Sequence, residues 1–248
     1  MAVLRHPENG SELVQDGTRL LARDSPASFP IYAGIPSLVY RPPARHLFWQ
    51  WVYNRLAFGY DLGVRWGWGL SLGGKPIDRR SYLALVDVRP GDRVMETAVG
   101  TGANVSLLPE SGRYFGVDLS LNMLQRCRIN LAARKRQAHL VHADMQALPF
   151  KDGVFDVVYH MGGLQFASKP GRVLQEMLRT ARPGATVTVV DENDSLPRIL
   201  RRARKSAVKH LDAGLDGLLE LVPVDGALKS GGRINDGELF HIQFQKPQ

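Results

Sequence analysis

The sequence predicts an α/β protein built on a doubly wound, mainly parallel sheet. From about residue 82 onward, short apolar runs typical of strands alternate with helical patterns. Turn residues such as Pro183-Gly184 bound these runs, and strands that alternate with helices usually pair in parallel. The length of 248 residues suits one large domain, or one domain with a small appendage.

Five segments are predicted strands because they are short, apolar and rich in β-branched or aromatic residues. These segments are 93–96, 114–118, 139–142, 155–159 and 185–190.

Two helices are predicted between these strands, and Ser120 is placed to cap the first. The second runs through residues 173–178. Near the end of the chain, residues 218–224 and 238–244 are expected to form two antiparallel strands, joined by a Gly-rich turn, that complete the sheet. The inward-facing residues of the first helix are expected to be Leu121, Leu124, Cys127, Ile129 and Leu131.

Composition limits the possible classes of function. Lys and Arg outnumber Asp and Glu by 32 to 24, which permits nucleic acid, lipid head groups or an acidic metabolite as a partner without choosing among them. The single cysteine, Cys127, excludes an intramolecular disulfide and a multi-cysteine zinc site, and it fits a reducing compartment. We find no secretory signal and no run of twenty apolar residues, so a cytoplasmic protein is expected.

The segment 96–104 follows a predicted strand and opens a helix. Its glycines Gly100 and Gly102 let the backbone turn tightly and approach a ligand without a Cβ in the way. Asp118 ends the next predicted strand, where doubly wound nucleotide-binding folds place a carboxylate against ribose hydroxyls. Asp144 follows the third strand. A glycine loop alone could be an ordinary strand-to-helix turn, but the two added carboxylates favour a cofactor site.

Five ordered motifs resemble those of class I S-adenosylmethionine-dependent methyltransferases. Within that class the lead-in at 53–61 is similar to the ubiquinone/menaquinone C-methyltransferase group. The resemblance implies a Rossmann-like, mainly parallel seven-stranded sheet with helices on both faces, plus a small N-terminal extension. The motifs are Glu96 to Gly102, Gly116 to Ser120, Ala143-Asp144 with Leu148 to Phe150, Phe155 to Val158, and Arg182 to Gly184.

The resemblance also implies roles around S-adenosylmethionine. Gly100 and Gly102 would pass beneath its methionine part, and Asp118 would hold the ribose. Asp144 would accept a hydrogen bond from the adenine amino group, an element that has no counterpart in the dinucleotide fingerprint of NAD-binding folds. The residues expected against the adenine ring are Leu119 and Met145.

Two residues of the first motif have less certain roles. Glu96 would either anchor the glycine loop or meet the amino group of the methionine part. Ala98 stands where the usual pattern has its first glycine. Its methyl group would be tolerated if the backbone keeps an ordinary conformation there.

The catalytic base should lie where the fourth and fifth strands end. His160 follows the fourth, Gly163 gives backbone room for a substrate, and histidine suits proton removal near neutral pH. A hydrogen-bonded structural histidine is the alternative. Asp191 and Glu192 could also act as bases, although capping the segment that follows them is the simpler role.

Residues 41–75 form an expected aromatic helical segment. Tyr60, Trp66 and Trp68 are candidate substrate contacts in a lid that closes over an apolar acceptor. A buried helix stripe and interfacial membrane contact are the alternatives. The large methyltransferase domain is expected to follow at 76–248.

Residues 1–40 carry a second resemblance, because 29–38 looks like the end of the zinc-ribbon module found ahead of some methyltransferases and in their activator proteins. That module needs four thiolate ligands. The matching positions hold no cysteine, so a metal-free segment is expected. They are His6, Asn9, Ala22 and Ser25.

The leading functional hypothesis is a methyltransferase that acts on a small lipophilic or aromatic acceptor. An RNA methyltransferase is the first alternative, drawn from the basic helix predicted at 198–209 and the sequence pI of about 9.8. A non-catalytic or non-methylating protein on the same fold is the second.

Overall fold

The computed structural model describes residues 2–39, 78–164, 167–192, 215–234 and 239–248. These residues form two sheets, one of four strands and one of seven. The strands of the small sheet are β1 (Leu13–Asp16), β2 (Arg19–Ala22), β3 (Ser28–Tyr32) and β4 (Ile35–Pro36). The strands of the large sheet are β5 (Arg93–Thr97), β6 (Arg113–Asp118), β7 (His139–His142), β8 (Phe155–Met161), β9 (Ala181–Glu192), β10 (Ala227–Ile234) and β11 (Leu239–Gln245).

The large sheet has the order β10-β11-β9-β8-β5-β6-β7. Strands β5 to β9 pair in parallel, and β10 and β11 add an antiparallel pair at one edge. The expected Rossmann-like, doubly wound α/β fold is therefore confirmed, together with the antiparallel finish. The helices are α1 (Arg79–Leu83), α2 (Leu121–Ala133), α3 (Pro170–Thr180) and α4 (Leu215–Leu219), with a 3-10 turn at Val105–Leu107.

Burial explains why the central strands read as continuous apolar runs. Val94, Val117 and Val158 are all 0% exposed, because helices and loops cover both faces of the sheet. The expected strands at 93–96, 114–118, 139–142 and 155–159 all lie within observed strands. The last predicted parallel strand is longer than expected and begins at Ala181.

Helix α2 begins as predicted, with the Ser120 side chain accepting a hydrogen bond from the Met123 N–H at 3.2 Å. Leu124, Cys127 and Leu131 face the core. The prediction that Ile129 faces inward is wrong, because its side chain is 57% exposed. Residues two apart on a helix point to different faces, so Ile129 and the inward Cys127 cannot share one.

The prediction of a strand at 218–224 is also wrong. Residues 215–219 are helical, and Val224 is fully exposed. Leu215, Leu218 and Val222 pack against the main core cluster, and their spacing of three and four residues is that of a helix. The strand paired with β11 is instead the Gly-rich segment 227–234, where an edge position tolerates glycine.

The N-terminal region contacts the rest of the protein through main-chain hydrogen bonds at two places. Near the start of the chain, the Arg5 N–H donates to the Pro149 carbonyl and the Lys151 N–H donates to the Val3 carbonyl, both at 2.9 Å. After β4, the Leu38 N–H donates to the His142 carbonyl at 2.7 Å. The segment after β4 thus runs alongside the edge strand β7.

Side chains join the same two parts into one core. Leu20, Phe29 and Leu38 from the N-terminal region lie in the same buried cluster as Leu148 and Phe150. The boundary near residue 40 and the segments 41–75 and 198–209 fall largely or wholly outside the described residues, so they remain predictions. None of the helices that the structure describes is long and apolar enough to span a bilayer.

Candidate active site

The carboxyl ends of β5, β6 and β7 meet at one edge of the large sheet. The parallel register places Thr97 beside Val117, and Asp118 beside His142. The loops that follow these strands therefore leave the sheet together. This arrangement brings the glycine loop, Asp118 and Asp144 to one site, as the sequence predicts.

Asp118 joins two of these loops. One carboxylate oxygen accepts the Gly100 N–H and the other accepts the Ser120 N–H, both at 2.8 Å. Burial raises the pKa of this carboxyl to about 6, although backbone N–H groups of Ser120, Gly100 and Leu119 pull it down. An ionised carboxylate has about four acceptor positions, so the group can close the loop and still receive ribose hydroxyls.

The two glycines of the loop have different reasons to be glycine. Both have positive φ, +53° at Gly100 and +78° at Gly102. Of the described residues, only Ala98 would come near a Cβ on Gly100, with its carbonyl oxygen at 4.0 Å, so these residues leave the loop open at that point. A Cβ on Gly102 would lie 2.6 Å from the Cys127 sulfur. Gly102 therefore lets the loop pack on helix α2, and the buried Cys127 is its packing partner.

Ala98 adopts a left-handed backbone conformation, with φ of +55°. The condition under which its methyl group would be tolerated, an ordinary backbone conformation, is therefore not met. The position keeps the conformation for which a glycine is suited, and the methyl group is strained by roughly 1–2 kcal/mol. The loop shape is thus retained despite the substitution.

Glu96 anchors the glycine loop from inside the protein. Its side chain is 1% exposed, and its carboxylate accepts hydrogen bonds from the Asn104 amide at 2.6 Å and the Tyr159 hydroxyl at 2.9 Å. The Asn104 oxygen in turn accepts from Arg79 and Tyr82, both at 3.0 Å. Of the two predicted roles, this geometry favours anchoring.

Burial raises the pKa of Glu96 to about 7, since the hydrogen bonds from Asn104 and Tyr159 only partly offset the loss of water. Sequence reasoning missed Tyr159 as a partner of Glu96. Their contact follows from strand register, which pairs the two residues across β5 and β8. No signal within either segment alone indicates it.

Asp144 lies in a turn that orders its carboxylate. One oxygen accepts the Gln146 N–H at 2.8 Å. The Gln146 side chain is fixed in turn, because its oxygen accepts from the Ser168 hydroxyl at 2.9 Å and the Lys169 N–H at 2.7 Å. Met145, the next residue, is half-buried against the main core cluster. Leu119 is also half-buried, beside Asp118.

His160 is fully buried at the carboxyl end of β8. Its Nδ1 lies 2.8 Å from the Thr97 hydroxyl, the residue that the register places opposite it. Among the described residues, none makes a hydrogen bond to its Nε2. Burial lowers the pKa of the imidazole to about 4, so the ring is neutral at pH 7. A buried imidazole nitrogen without a partner is suited to receive a ligand group.

The loop after β8 is held by the neighbouring strand β9. The Asp191 carboxylate accepts the Leu164 N–H at 2.9 Å, and the Gly162 N–H donates to the Val190 carbonyl at 2.8 Å. Gly163 has a φ of +104°, which requires glycine. Asp191 thus braces the loop beside His160.

Several predicted site residues fall outside this description. Tyr60, Trp66 and Trp68 lie outside the described residues, and the structure does not describe the side chain of Glu192. Among the described residues, no group of three or more His, Cys, Asp or Glu is arranged to hold a metal ion. The four expected ligand positions of the N-terminal segment lie in two turns, at 6–11 and 22–27.

Residues 95–189 match the family model of a methyltransferase domain. The demethylmenaquinone methyltransferase of Clavibacter sepedonicus is 31% identical over 152 residues, which cover 61% of this chain and 60% of that protein. The 2-phytyl-1,4-naphtoquinone methyltransferase of Trichormus variabilis is 30% identical over 146 residues, which cover 56% and 62%. The chain thus spans less than two thirds of the length of these curated relatives.

Among solved structures, a chain from the complex of the Haloferax volcanii Trm112 methyltransferase activator with a methyltransferase superposes with a TM-score of 0.61. The superposition covers 79% of this chain and 98% of that one, at 18% identity. At that identity the likeness shows a shared fold.

The sheet order and the site at the carboxyl ends of β5 to β7 define the class as a Rossmann-like cofactor-binding domain. The motifs, the family match over residues 95–189 and the relatives agree in their similarity to class I S-adenosylmethionine-dependent methyltransferases. S-adenosylmethionine is the cofactor that this family implies. The sequence resemblance to quinone methyltransferases is confirmed.

Ala98→Gly is expected to stabilise the protein. The change removes roughly 1–2 kcal/mol of left-handed strain and gives the unfolded chain about 0.4–1 kcal/mol more freedom, so the unfolding free energy should rise by about 0.5–1 kcal/mol. Urea unfolding measures this change in the unfolding free energy. Ala103→Gly is the control, because Ala103 has no positive φ, so a glycine there only adds freedom to the unfolded chain and should lower the stability. Equal losses in both variants would contradict a strained Ala98.

Glu96→Gln is expected to change how stability depends on pH. The Glu96 carboxyl has a pKa of about 7 in the folded protein, against 4.5 ordinarily, so the folded state retains a proton that the unfolded state releases. The unfolding free energy of the wild type should therefore fall between pH 4.5 and 7, by on the order of 3 kcal/mol from this group. The Gln variant should lack that part of the decline.

Denaturant unfolding at pH 5 and pH 7.5 makes this comparison. Glu110→Gln is the matched control, because Glu110 is 83% exposed in its side chain. Its pH dependence should follow that of the wild type. Parallel curves for the wild type and Glu96→Gln would show that the Glu96 carboxyl does not retain its proton.

Proposed function

We propose that the protein transfers a methyl group from S-adenosylmethionine to a small lipophilic aromatic acceptor of the quinol type. The observation that carries the proposal is the Asp118 carboxylate, which closes the glycine loop at the sheet edge where Asp144 also lies. When bound, S-adenosylmethionine supplies a sulfonium methyl group, and its transfer leaves S-adenosylhomocysteine and a proton from the acceptor. The protein then contributes binding, orientation and exclusion of water.

The residues present fit this cofactor. The space above Gly100 leaves the loop backbone accessible to the methionine part. Asp118 is placed for ribose hydroxyls, and the ordered carboxylate of Asp144 for the adenine amino group. Leu119 and Met145, the half-buried apolar residues that follow these two carboxylates in the chain, would lie against the adenine ring. We assign these roles to the residues as part of the proposal.

His160 is proposed to contact the acceptor. Its buried Nε2 has no partner within the part of the chain that the structure describes, and the ring lies at the same edge of the sheet as the cofactor residues. A general base works best when its pKa is near the operating pH, so an imidazole with a pKa of about 4 is better suited to orienting a polar group of the acceptor by a hydrogen bond. Gly163 leaves backbone room next to it. Tyr60, Trp66 and Trp68 are proposed to cover the acceptor.

The relatives support a quinol acceptor because they are demethylmenaquinone and 2-phytyl-1,4-naphtoquinone methyltransferases. Neither RNA methylation nor a non-catalytic role is supported by a comparable observation. The basic segment 198–209, on which the RNA alternative depends, lies outside the described residues. We further propose that residues 1–40 are a metal-free structural segment, that 41–75 form the lid, and that 76–248 form the methyltransferase domain.

Cofactor binding is tested first, by thermal unfolding with and without S-adenosylmethionine. At a hundred times its dissociation constant, the ligand should stabilise the protein by about 2.7 kcal/mol, which raises the Tm by several degrees. Asp118→Ala should abolish the shift because it removes the ribose acceptor and releases Gly100. NAD should give no shift.

Asp156→Ala is the matched control for that variant. Asp156 also accepts a backbone N–H, that of Arg93 at 2.7 Å, but it lies at the opposite end of the strands. It should therefore lose comparable stability and keep the ligand shift. Absence of a shift in the wild type at millimolar S-adenosylmethionine would reject the proposed function.

His160→Ala tests the acceptor side, with a short-chain 1,4-naphthoquinol that lacks the ring methyl group as the substrate. Loss of the hydrogen bond should lower kcat/KM for the quinol by about tenfold or more, while the Kd for S-adenosylmethionine stays unchanged. His139→Ala, at the amino end of β7, should leave both values unchanged. Unchanged turnover in His160→Ala would assign the ring a structural role through Thr97.

A further inference from the structure

A chain of contacts runs from the N-terminal segment to the cofactor site. The Ser37 hydroxyl lies 2.8 Å from His142 Nδ1, and His142 Nε2 lies 3.0 Å from the Leu119 carbonyl oxygen. Leu119 directly follows Asp118 in the chain. The imidazole of His142 therefore joins a residue of the N-terminal segment to the turn that holds the ribose carboxylate.

The chemistry of these contacts fixes the proton positions. A carbonyl oxygen can only accept, so His142 Nε2 must carry a hydrogen and donate it to Leu119. In the neutral ring Nδ1 is then an acceptor, and the Ser37 hydroxyl donates to it. Burial lowers the pKa of His142, which is 7% exposed, and so favours this neutral form.

The Leu119 peptide is held from both sides. Its N–H contributes to the backbone hydrogen bonds on the Asp118 carboxylate, and its carbonyl receives His142. A shift of this peptide would move the Asp118 carboxylate and the Leu119 side chain together. The contact with His142 thus fixes two elements of the proposed adenosine site.

The same segment also braces the loop that carries Asp144. The Leu38 N–H bonds to the His142 carbonyl just before this loop, and the Arg5 N–H bonds to the Pro149 carbonyl just after it. Both ends of the adenine-side loop are therefore attached to the N-terminal region. The second attachment strengthens the link from that region to the cofactor site.

We propose that Ser37 and His142 are positioning residues through which the N-terminal segment sets the affinity for the adenosine part of the cofactor. The proposal rests on the proposed function, because it assumes that Asp118 and Leu119 contact S-adenosylmethionine. Neither Ser37 nor His142 needs to touch the cofactor. Their effect passes through the Leu119 carbonyl.

The test compares two amides at position 142 by isothermal titration with S-adenosylmethionine. The amide nitrogen of His142→Gln reaches the position of Nε2 and can still donate to the Leu119 carbonyl. The amide of His142→Asn reaches only the position of Nδ1. The Kd should rise by about tenfold in His142→Asn, the loss of roughly one hydrogen bond, and stay within about threefold of wild type in His142→Gln.

Ser37→Ala should raise the Kd by a smaller factor, about threefold, because it frees the imidazole without removing it. Ser28→Ala is its matched control, since Ser28 lies in the same N-terminal region and its hydroxyl accepts a hydrogen bond from Arg19. It should bind as the wild type does. Urea unfolding of every variant shows whether the two amides cost similar stability, so that affinity alone separates them.

The possible results decide between the proposals. Equal Kd values for His142→Asn and His142→Gln would overturn the positioning role, whatever their stability. Wild-type affinity in all variants would overturn it as well and leave the proposed function intact. A wild-type protein that does not bind S-adenosylmethionine would reject both.

Discussion

The Asp118 carboxylate accepts the Gly100 N–H on one oxygen and the Ser120 N–H on the other, and the site is organised around these two bonds. They connect the loop after β5 to the start of helix α2. Because the bonds come from backbone groups, they fix the course of the chain whichever side chains surround it. The glycine loop can therefore stay open towards a ligand and still have one defined shape.

A second anchor acts on the same loop from the protein interior. Glu96 lies below the loop and binds Asn104, which lies beyond it in the chain, so the loop is held at both ends. This bracing explains how Ala98 can occupy a left-handed conformation. Its strain is small beside the hydrogen bonds that would be lost if the loop relaxed. Alanine in place of the first glycine therefore raises the energy of the loop but does not change its shape.

The sequence was sufficient for the parallel strands and for the sheet-edge site, because apolar runs and loop motifs are local signals. It was insufficient wherever a partner is distant in the chain. The contact between Thr97 and His160 depends on strand register across 63 positions. The predictions for Ile129 and for residues 218–224 fail for another reason. In both segments the spacing of the apolar residues, and not their presence alone, decides the structure and which side chains are buried.

The N-terminal region stabilises an edge of the large sheet. An edge strand exposes unpaired backbone groups, and the segment at Ser37 and Leu38 covers that edge where β7 ends. The same cover supplies part of the main core, through Leu20 and Phe29. A segment that shares a core with the sheet cannot separate without exposing apolar surface. Folding of the N-terminal sheet and order in the loop that carries Asp144 are for this reason coupled.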